Sequence, residues 1–365
     1  MKVYKRKVLH IIDNLGVGGA EKLLVNTIND LADYQHVVVL LNEPEDLKHE
    51  LPSSVSYYKL NFTTDRRLLV KLIQFGNLIQ LRKIVSDEKP HVVHAHLFWS
   101  TFYARLVCPP NASLFFTIHG MIGDRVFRSS YLYRKLERIS ISSKQYLIAV
   151  SESVLNNYLE YIPFQGPSKV VYNYIPDQYF YNQKRTYLLS GLQFKIISVG
   201  NLKPVKNYDV QIKAMALLGS KFQLDIYGSG EMESHLKGII QELGIDNVRL
   251  MGTADNMNEI LSAYDLAVMS SFSEGHSIAL NEAMALGLPV ILSDIASFRE
   301  STNNKAVYFN PTDASELACK IKELYFNNAA REELGILNRA LAEKYVKKES
   351  YLNSLRSLYD FVSRK

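Results

Sequence analysis

Short apolar runs rich in Val, Ile, Leu and Phe recur along the chain, separated by longer stretches in which apolar residues return every three or four positions. KVLHII (7–12), HVVVLL (36–41), PHVVHAH (90–96), SLFFTIHG (113–120) and YLIAVS (146–151) read as buried strands. The pattern restarts with FKIISVG (194–200), FQLDIYGSG (222–230), NVRLMG (247–252), YDLAVMSS (264–271) and LPVILSD (288–294). Helical patterns such as AEKLLVNTINDLA (20–32) lie between them. Strand–helix alternation predicts parallel, doubly wound α/β sheets, and two strand series predict two Rossmann-like domains facing each other across a cleft. The junction is expected in the polar, Tyr-rich stretch 177–191, giving domains over 1–183 and 190–345. Ligands of such sheets bind at the carboxyl ends of strands, so the loops at 13–21, 94–101, 118–125, 200–207, 227–231, 252–256 and 271–278 are the candidates.

Length and composition agree. The 365 residues suit two domains of roughly 150–200. A chain 47% hydrophobic and 22% charged is neither disordered nor fibrous. Its two cysteines, Cys108 and Cys319, far apart in the chain, argue against a disulfide framework and a four-ligand zinc site. The apolar run after the basic start is only Val8 to Ile12, and no charge-free run approaches the ~18–20 residues of a spanning helix. A cytoplasmic protein is therefore expected.

The net charge of +5 is concentrated between 51 and 150, where 14 basic residues face 5 acidic ones. Within that region, residues 66–85 (RRLLVKLIQFGNLIQLRKIV) set cations among apolar residues at helical spacing. Two readings stay open: a helix lying on an anionic membrane, or a surface helix burying its apolar stripe against a sheet. Without a dense Lys/Arg run or a recognised motif, nucleic acid is not an expected partner.

LGVGGAE (15–21) follows the first strand and opens a helix, where glycines admit a close ligand and the helix N-terminus favours anions. A dinucleotide fingerprint would need Gly at position 21; Glu21 stands there and would repel a pyrophosphate. YGSGE (227–231) is a second such turn, whose glycines could equally serve the turn alone. In residues 270–294, SIALNEAMALG reads as a helix starting near Ser277 and closed by Gly287, with Pro289 beyond. Glu274 then precedes the helix and Glu282 falls in its early turns. Backbone amides at 275–278 suit a phosphate and the carboxylates suit sugar hydroxyls, at roughly 1.5–3 kcal/mol per charge-assisted bond. Two solvated acids near a helix N-terminus would read the same way.

The stretch EGHSIALNEAMALGLPVILSD (274–294) resembles the E-x7-E region of retaining, metal-independent glycosyltransferases of family 4, which have the GT-B fold. LGVGGAE, PHVVHAH, TIHG, AVSESV, VVYNYIPDQYF, VGNLKPVKNYD (199–209), YGSGE and VRLMGT resemble further segments of that pattern, in order along nearly the whole chain. The resemblance implies an enzyme that moves a hexose-type sugar from a UDP- or GDP-linked donor to a glycan or a polyprenyl-diphosphate-linked sugar, with retained configuration. Cell-surface polysaccharide assembly at the cytoplasmic face of a membrane is the implied setting.

It further implies that Glu282 binds the ribose and Glu274 the sugar hydroxyls. Gly275, His276, Ser277 and Ile278 should contact the sugar and diphosphate, with Lys206 as the diphosphate lysine. His119 is expected near the reaction centre; Gly228, Gly230 and Thr253 near the base; and Gly16, Gly18 and Gly19 near the donor phosphates or the acceptor. Glu274 is a positioning group rather than a covalent nucleophile, and neither metal nor cofactor is implied. The run at 351–365 is expected to form a helix crossing back to the first domain, within a final segment 346–365. One position departs: the family pattern usually has Arg where this chain has Asn201, a neutral amide in place of a permanent cation. That loss should weaken leaving-group stabilisation by roughly 1.5–3 kcal/mol, and Arg299 or Lys203 is a possible substitute. The rivals are a nucleotide-sugar epimerase, which needs no acceptor, and a non-catalytic scaffold of the same fold, which needs neither Glu274 nor Lys206.

Overall fold

The computed structural model describes residues 5–62, 74–181, 187 and 193–361. The chain divides into two compact units, Met1–Tyr172 with Glu349–Lys365, and Asn173–Lys348.

The first unit is built on seven strands: β1 (Lys7–Ile12), β2 (Gln35–Leu40), β3 (Ser56–Lys59), β4 (Val92–His96), β5 (Ser113–Ile118), β6 (Tyr146–Ala149) and β7 (Ser168–Val170). They lie side by side in the order β3-β2-β1-β4-β5-β6-β7. The second unit has β8 (Phe194–Val199), β9 (Phe222–Tyr227), β10 (Val248–Gly252), β11 (Leu266–Met269), β12 (Val290–Ser293) and β13 (Val307–Phe309). Their order is β10-β9-β8-β11-β12-β13. Every pairing is parallel. Parallel neighbours require crossovers, and the helices that supply them cover the sheet faces, which is why the strands read as continuous apolar runs. The order turns back on itself between β1 and β4 and again between β8 and β11, opening a crevice at the carboxyl ends in each unit.

Each of the ten predicted runs contains a strand. Among the described residues, the three strands outside those runs, β3, β7 and β13, are all edge strands of three or four residues. The fourth edge strand, β10, spans five residues and lies within the predicted run 247–252, so shortness together with partial cover hides the other three.

In the first unit, Leu9, Ile11, Val37, Val39, Val93 and Phe116 share one core with Leu81, Val85, Phe102 and Val107 of the helices Phe75–Glu88 and Phe98–Val107. The opposite face, through Val8, Val92, Phe115 and Ile148, packs against Leu352, Leu355 and Tyr359 of the last helix, Lys348–Phe361. The second unit mirrors this plan, with Ile196, Leu224, Val268 and Ile291 on one face and Ile197, Ala267, Val290 and Leu292 on the other.

Part of the basic stretch 66–85 lies outside the described residues. From Phe75 onward it is helical, with Leu78, Leu81, Ile84 and Val85 on the core, while Phe75, Ile79, Arg82 and Lys83 are exposed.

A buried ion pair braces the first unit: Arg105 donates to both oxygens of Glu137 at 2.7 and 2.8 Å, with about 2–3% of either side chain exposed. Gln145 and Ser140 accept from the same guanidinium, and Tyr158 donates to Glu137. Removing one partner strands a charge in the interior. Glu137→Leu is expected to destabilise the first unit by about 3–5 kcal/mol in urea denaturation, whereas replacing an exposed acid such as Glu160 should cost little.

Candidate active site

At the reversal of the second sheet, the loop after β8 turns at Gly200 and carries Lys206 into the helix Tyr208–Ala216. The loop after β11 carries Ser270 to Glu274 toward the helix Ile278–Ala285. Buried polar groups tie the two loops. Gln211 Nε2 donates to Ser198 Oγ at 3.0 Å and to Ser270 Oγ at 2.7 Å. Ser270 Oγ in turn donates to the carbonyls of Lys206 and Asn207 at 2.9 and 2.8 Å. Asn207 Nδ2 donates to the carbonyls of Ser270 and Pro311, and the Phe272 N–H donates to Val205. This bracket brings Lys206 Nζ to 2.6 Å from Glu274 Oε1, which also accepts from Ser271 Oγ at 2.6 Å. Both charged side chains stay partly accessible, at 23% and 13%.

The turn after β9 lies directly on the turn after β8. A Cβ on Gly228 would sit 2.0 Å from the Gly200 carbonyl oxygen, and one on Gly230 would sit 2.6 Å from that of Leu202. Backbone packing thus demands both glycines, whatever they bind. Ser277 caps the helix Ile278–Ala285, accepting from Leu280 N–H at 3.3 Å, and Gly287 closes it at φ +68°. The buried His276 accepts at Nδ1 from Asn281 Nδ2, and its carbonyl accepts from Asn173. Burial pulls the His276 imidazole down to about 4, so it is neutral. Glu282 is hydrogen-bonded to the Tyr179 phenol, whose pKa is raised by burial and then by that carboxylate. Thr253 is exposed just beyond β10.

In the first unit, the loop after β1 runs through Gly16 and Gly18 into the helix Gly19–Asp30. Asp13 Oδ1 accepts from the Ser100 N–H at 3.0 Å and from its hydroxyl. His119, just beyond β5, lines a cavity of about 290 Å³ together with Phe98, Thr117, Gly120 and Arg125. Behind it stand His10, His36, His94 and His96, all on one face of the sheet and all buried. His10, His94 and His96 bring ring nitrogens within 4.8 Å of one another, the spacing of a three-ligand metal site. Each of those nitrogens has a hydrogen-bond partner: His94 meets Tyr359 Oη and Thr117 Oγ1 at 2.7 Å each, and His10 and His96 meet histidines.

Residues 17–179 match the model described as Glycosyltransferase Family 4, and residues 182–340 match Glycosyl transferases group 1. The chain is a family 4 glycosyltransferase. The N-acetyl-α-D-glucosaminyl L-malate synthase of Bacillus anthracis is 24% identical over 70% of this chain and 70% of its own. The lipopolysaccharide core biosynthesis glycosyltransferase LpsE of Rhizobium meliloti is 26% identical over 87% of this chain and 88% of its own. Anabaena HepE, solved with UDP-glucose, matches with a TM-score of 0.80 at 17% identity over 97% of this chain and 99% of that one. That likeness shows the GT-B fold.

Within the family 4 glycosyltransferase, the expected site residues fall into two sets. Asn201, Lys206, Gly228, Gly230, Thr253, Glu274 to Ile278 and Glu282 lie at or beyond carboxyl ends of the second sheet, or on the helix Ile278–Ala285 that follows β11. Gly16, Gly18, Gly19 and His119 lie at those of the first. Of the two suggested replacements for the missing arginine, Arg299 is committed elsewhere, whereas Lys203 stands in the same turn as Lys206, its carbonyl accepting from the Lys206 N–H at 3.0 Å. Arg299 donates to both oxygens of Asp294 and lies over the Tyr308 ring, while Lys203 is exposed. The buried histidine group was not anticipated. Its signal was present as a polar residue in the middle of apolar strand runs, on alternate positions of HVVHAH.

Two outcomes follow for this glycosyltransferase. Gly228→Ala should lower the melting temperature, because the methyl group collides with main chain. Burial holds His10, His36, His94 and His96 below the ordinary 6.5 and takes His119 to about 4. Unfolded histidines bind protons near 6.5, so as pH falls from there toward the folded pKa values the unfolded chain gains more protons and stability is lost. Calorimetry should show a steep fall in melting temperature between pH 7 and 5; a flat profile would contradict the neutral cluster.

Proposed function

We propose that this enzyme transfers a hexose-type sugar from a nucleotide-diphosphate donor to a glycan or polyprenyl-diphosphate-linked sugar during lipopolysaccharide or related surface-polysaccharide assembly. The transfer retains configuration and needs no metal ion. One observation carries the reading: Lys206 and Glu274 meet at 2.6 Å at the reversal of a parallel sheet, held by buried polar groups and partly accessible. Donor binding exchanges this pair. The Lys206 ammonium turns to the diphosphate, where negative charge grows as the sugar departs, and Glu274 accepts from sugar hydroxyls. The amides of Gly275 to Ile278, at a helix N-terminus, receive a phosphate or a sugar oxygen. Glu282 accepts from the ribose, and Gly228, Gly230 and Thr253 flank the base.

His119 stands by the transferred sugar, and the 290 Å³ cavity beside it receives part of the acceptor. Gly16, Gly18 and Gly19 approach donor phosphates or acceptor. HepE was solved with UDP-glucose and LpsE acts in lipopolysaccharide core biosynthesis, so a UDP-linked donor is the first to test. Among the described residues no helix is long and apolar enough to cross a membrane. The exposed Phe75, Ile79, Arg82 and Lys83 are a face suited to rest on an anionic one.

Asn201 favours a second reading, a non-catalytic scaffold, and one experiment separates the two. Melting temperatures are measured with UDP, GDP, ADP and CMP in the presence of EDTA. A true donor site is stabilised by one diphosphate, by about 2.7 kcal/mol at a hundred times its dissociation constant, and loses the response in Lys206→Ala and Glu282→Ala. No response to any nucleotide would favour the scaffold. If the missing cation matters, Asn201→Arg should tighten the same nucleotide about tenfold, or ~1.4 kcal/mol.

A further inference from the structure

Three of the buried histidines form one chain of hydrogen bonds that ends at His119. His36 Nε2 lies 2.9 Å from the Leu31 carbonyl, and His36 Nδ1 lies 3.1 Å from His10 Nε2. His10 Nδ1 is 3.5 Å from His96 Nε2, and His96 Nδ1 is 3.2 Å from His119 Nε2. A carbonyl only accepts, so His36 must donate from Nε2. A neutral imidazole carries one proton, so His36 Nδ1 accepts and His10 Nε2 donates. The same step repeats through His96 to His119. Reversing any ring would set two lone pairs against each other inside a core where His10, His36 and His96 are 0–5% exposed. Burial keeps all four rings neutral at neutral pH, which the one-proton count requires.

We propose that His36, His10 and His96 are positioning residues that lock His119 into the tautomer protonated at Nε2, leaving its Nδ1 as an obligate acceptor. No hydrogen-bond partner for Nδ1 occurs among the described residues, and the ring lines the cavity after β5. A group that engages Nδ1 must bring its own proton, as a sugar hydroxyl does. A carboxylate or phosphate oxygen is turned away. The link to the sugar rests on the function proposed above; the tautomer does not. His94 stands outside the chain, bonded to two hydroxyls.

The full chain labelled with 15N-histidine decides it. Long-range proton–nitrogen correlation at neutral pH should show Nε2-protonated rings for His36, His10, His96 and His119, assigned by single substitutions. His36→Phe removes the anchor and should leave His119 as a mixture of tautomers. His36→Gln can still donate to Leu31 and accept from His10, and should keep the wild-type pattern, which guards against a mere folding defect. With a donor in hand, His36→Phe should lower kcat about tenfold with donor KM changed less than twofold, and His36→Gln should restore it. A His119 protonated at Nδ1 or mixed in the wild type overturns the proposal, whether or not any donor is turned over. So does stoichiometric zinc bound by the folded wild type with loss of the Nε2–H signals of His10 and His96. Intact tautomers with kcat unchanged in His36→Phe would remove the positioning role and leave the donor site standing.

Discussion

Parallel hydrogen bonding is the constraint on which both units depend. When all strands of a sheet point the same way, every loop that follows a strand emerges on the same edge, and residues far apart in the chain become neighbours there. Lys206 and Glu274 are separated by sixty-eight positions, and β8 and β11 are what bring them together. His10 and His94 are opposite each other in register for the same reason. The chemistry of both crevices is therefore a consequence of strand order, with local sequence choosing only which side chains arrive.

The two units stabilise their crevices with different materials. In the second, hydroxyls, an amide and main-chain carbonyls bracket the loops, with Ser270 and Gln211 at the centre, and glycine turns lie backbone on backbone. These are short neutral links that hold a charged pair without cancelling its access to solvent. In the first, imidazoles occupy strand positions that would otherwise be aliphatic. Buried polar groups are tolerated only when partnered, and here the partners are other histidines, the Leu31 carbonyl and the hydroxyls of Thr117 and Tyr359.

Much of this was legible in the sequence. Central strands show as continuous apolar runs because both faces are covered, and the helix from Ser277 to Gly287 announces itself through its cap and its closing glycine. Edge strands β3, β7 and β13 escaped because three or four partly covered residues demand no long apolar run, whereas the five-residue edge strand β10 was legible. The necessity of Gly228 and Gly230 was ambiguous, since a turn glycine and a ligand glycine look alike until a neighbouring backbone is seen 2.0–2.6 Å from the absent Cβ. The pairing of Arg299 with Asp294, five residues away, is local and could have been suspected. The histidine chain could not, because its members come from three strands and one loop and only the register aligns them.

The last helix has a consequence of its own for biosynthesis. Leu352, Leu355 and Tyr359 close the apolar face of a sheet whose strands end by residue 170, so the first unit is a discontinuous body and the second, 173–348, is continuous. A ribosome therefore delivers every strand of the first sheet, and then the whole second unit, before the cover for Val8, Val92 and Phe115 exists. During that interval the nascent chain carries an uncapped greasy surface, the kind that chaperones bind and that truncated transcripts would leave permanently open.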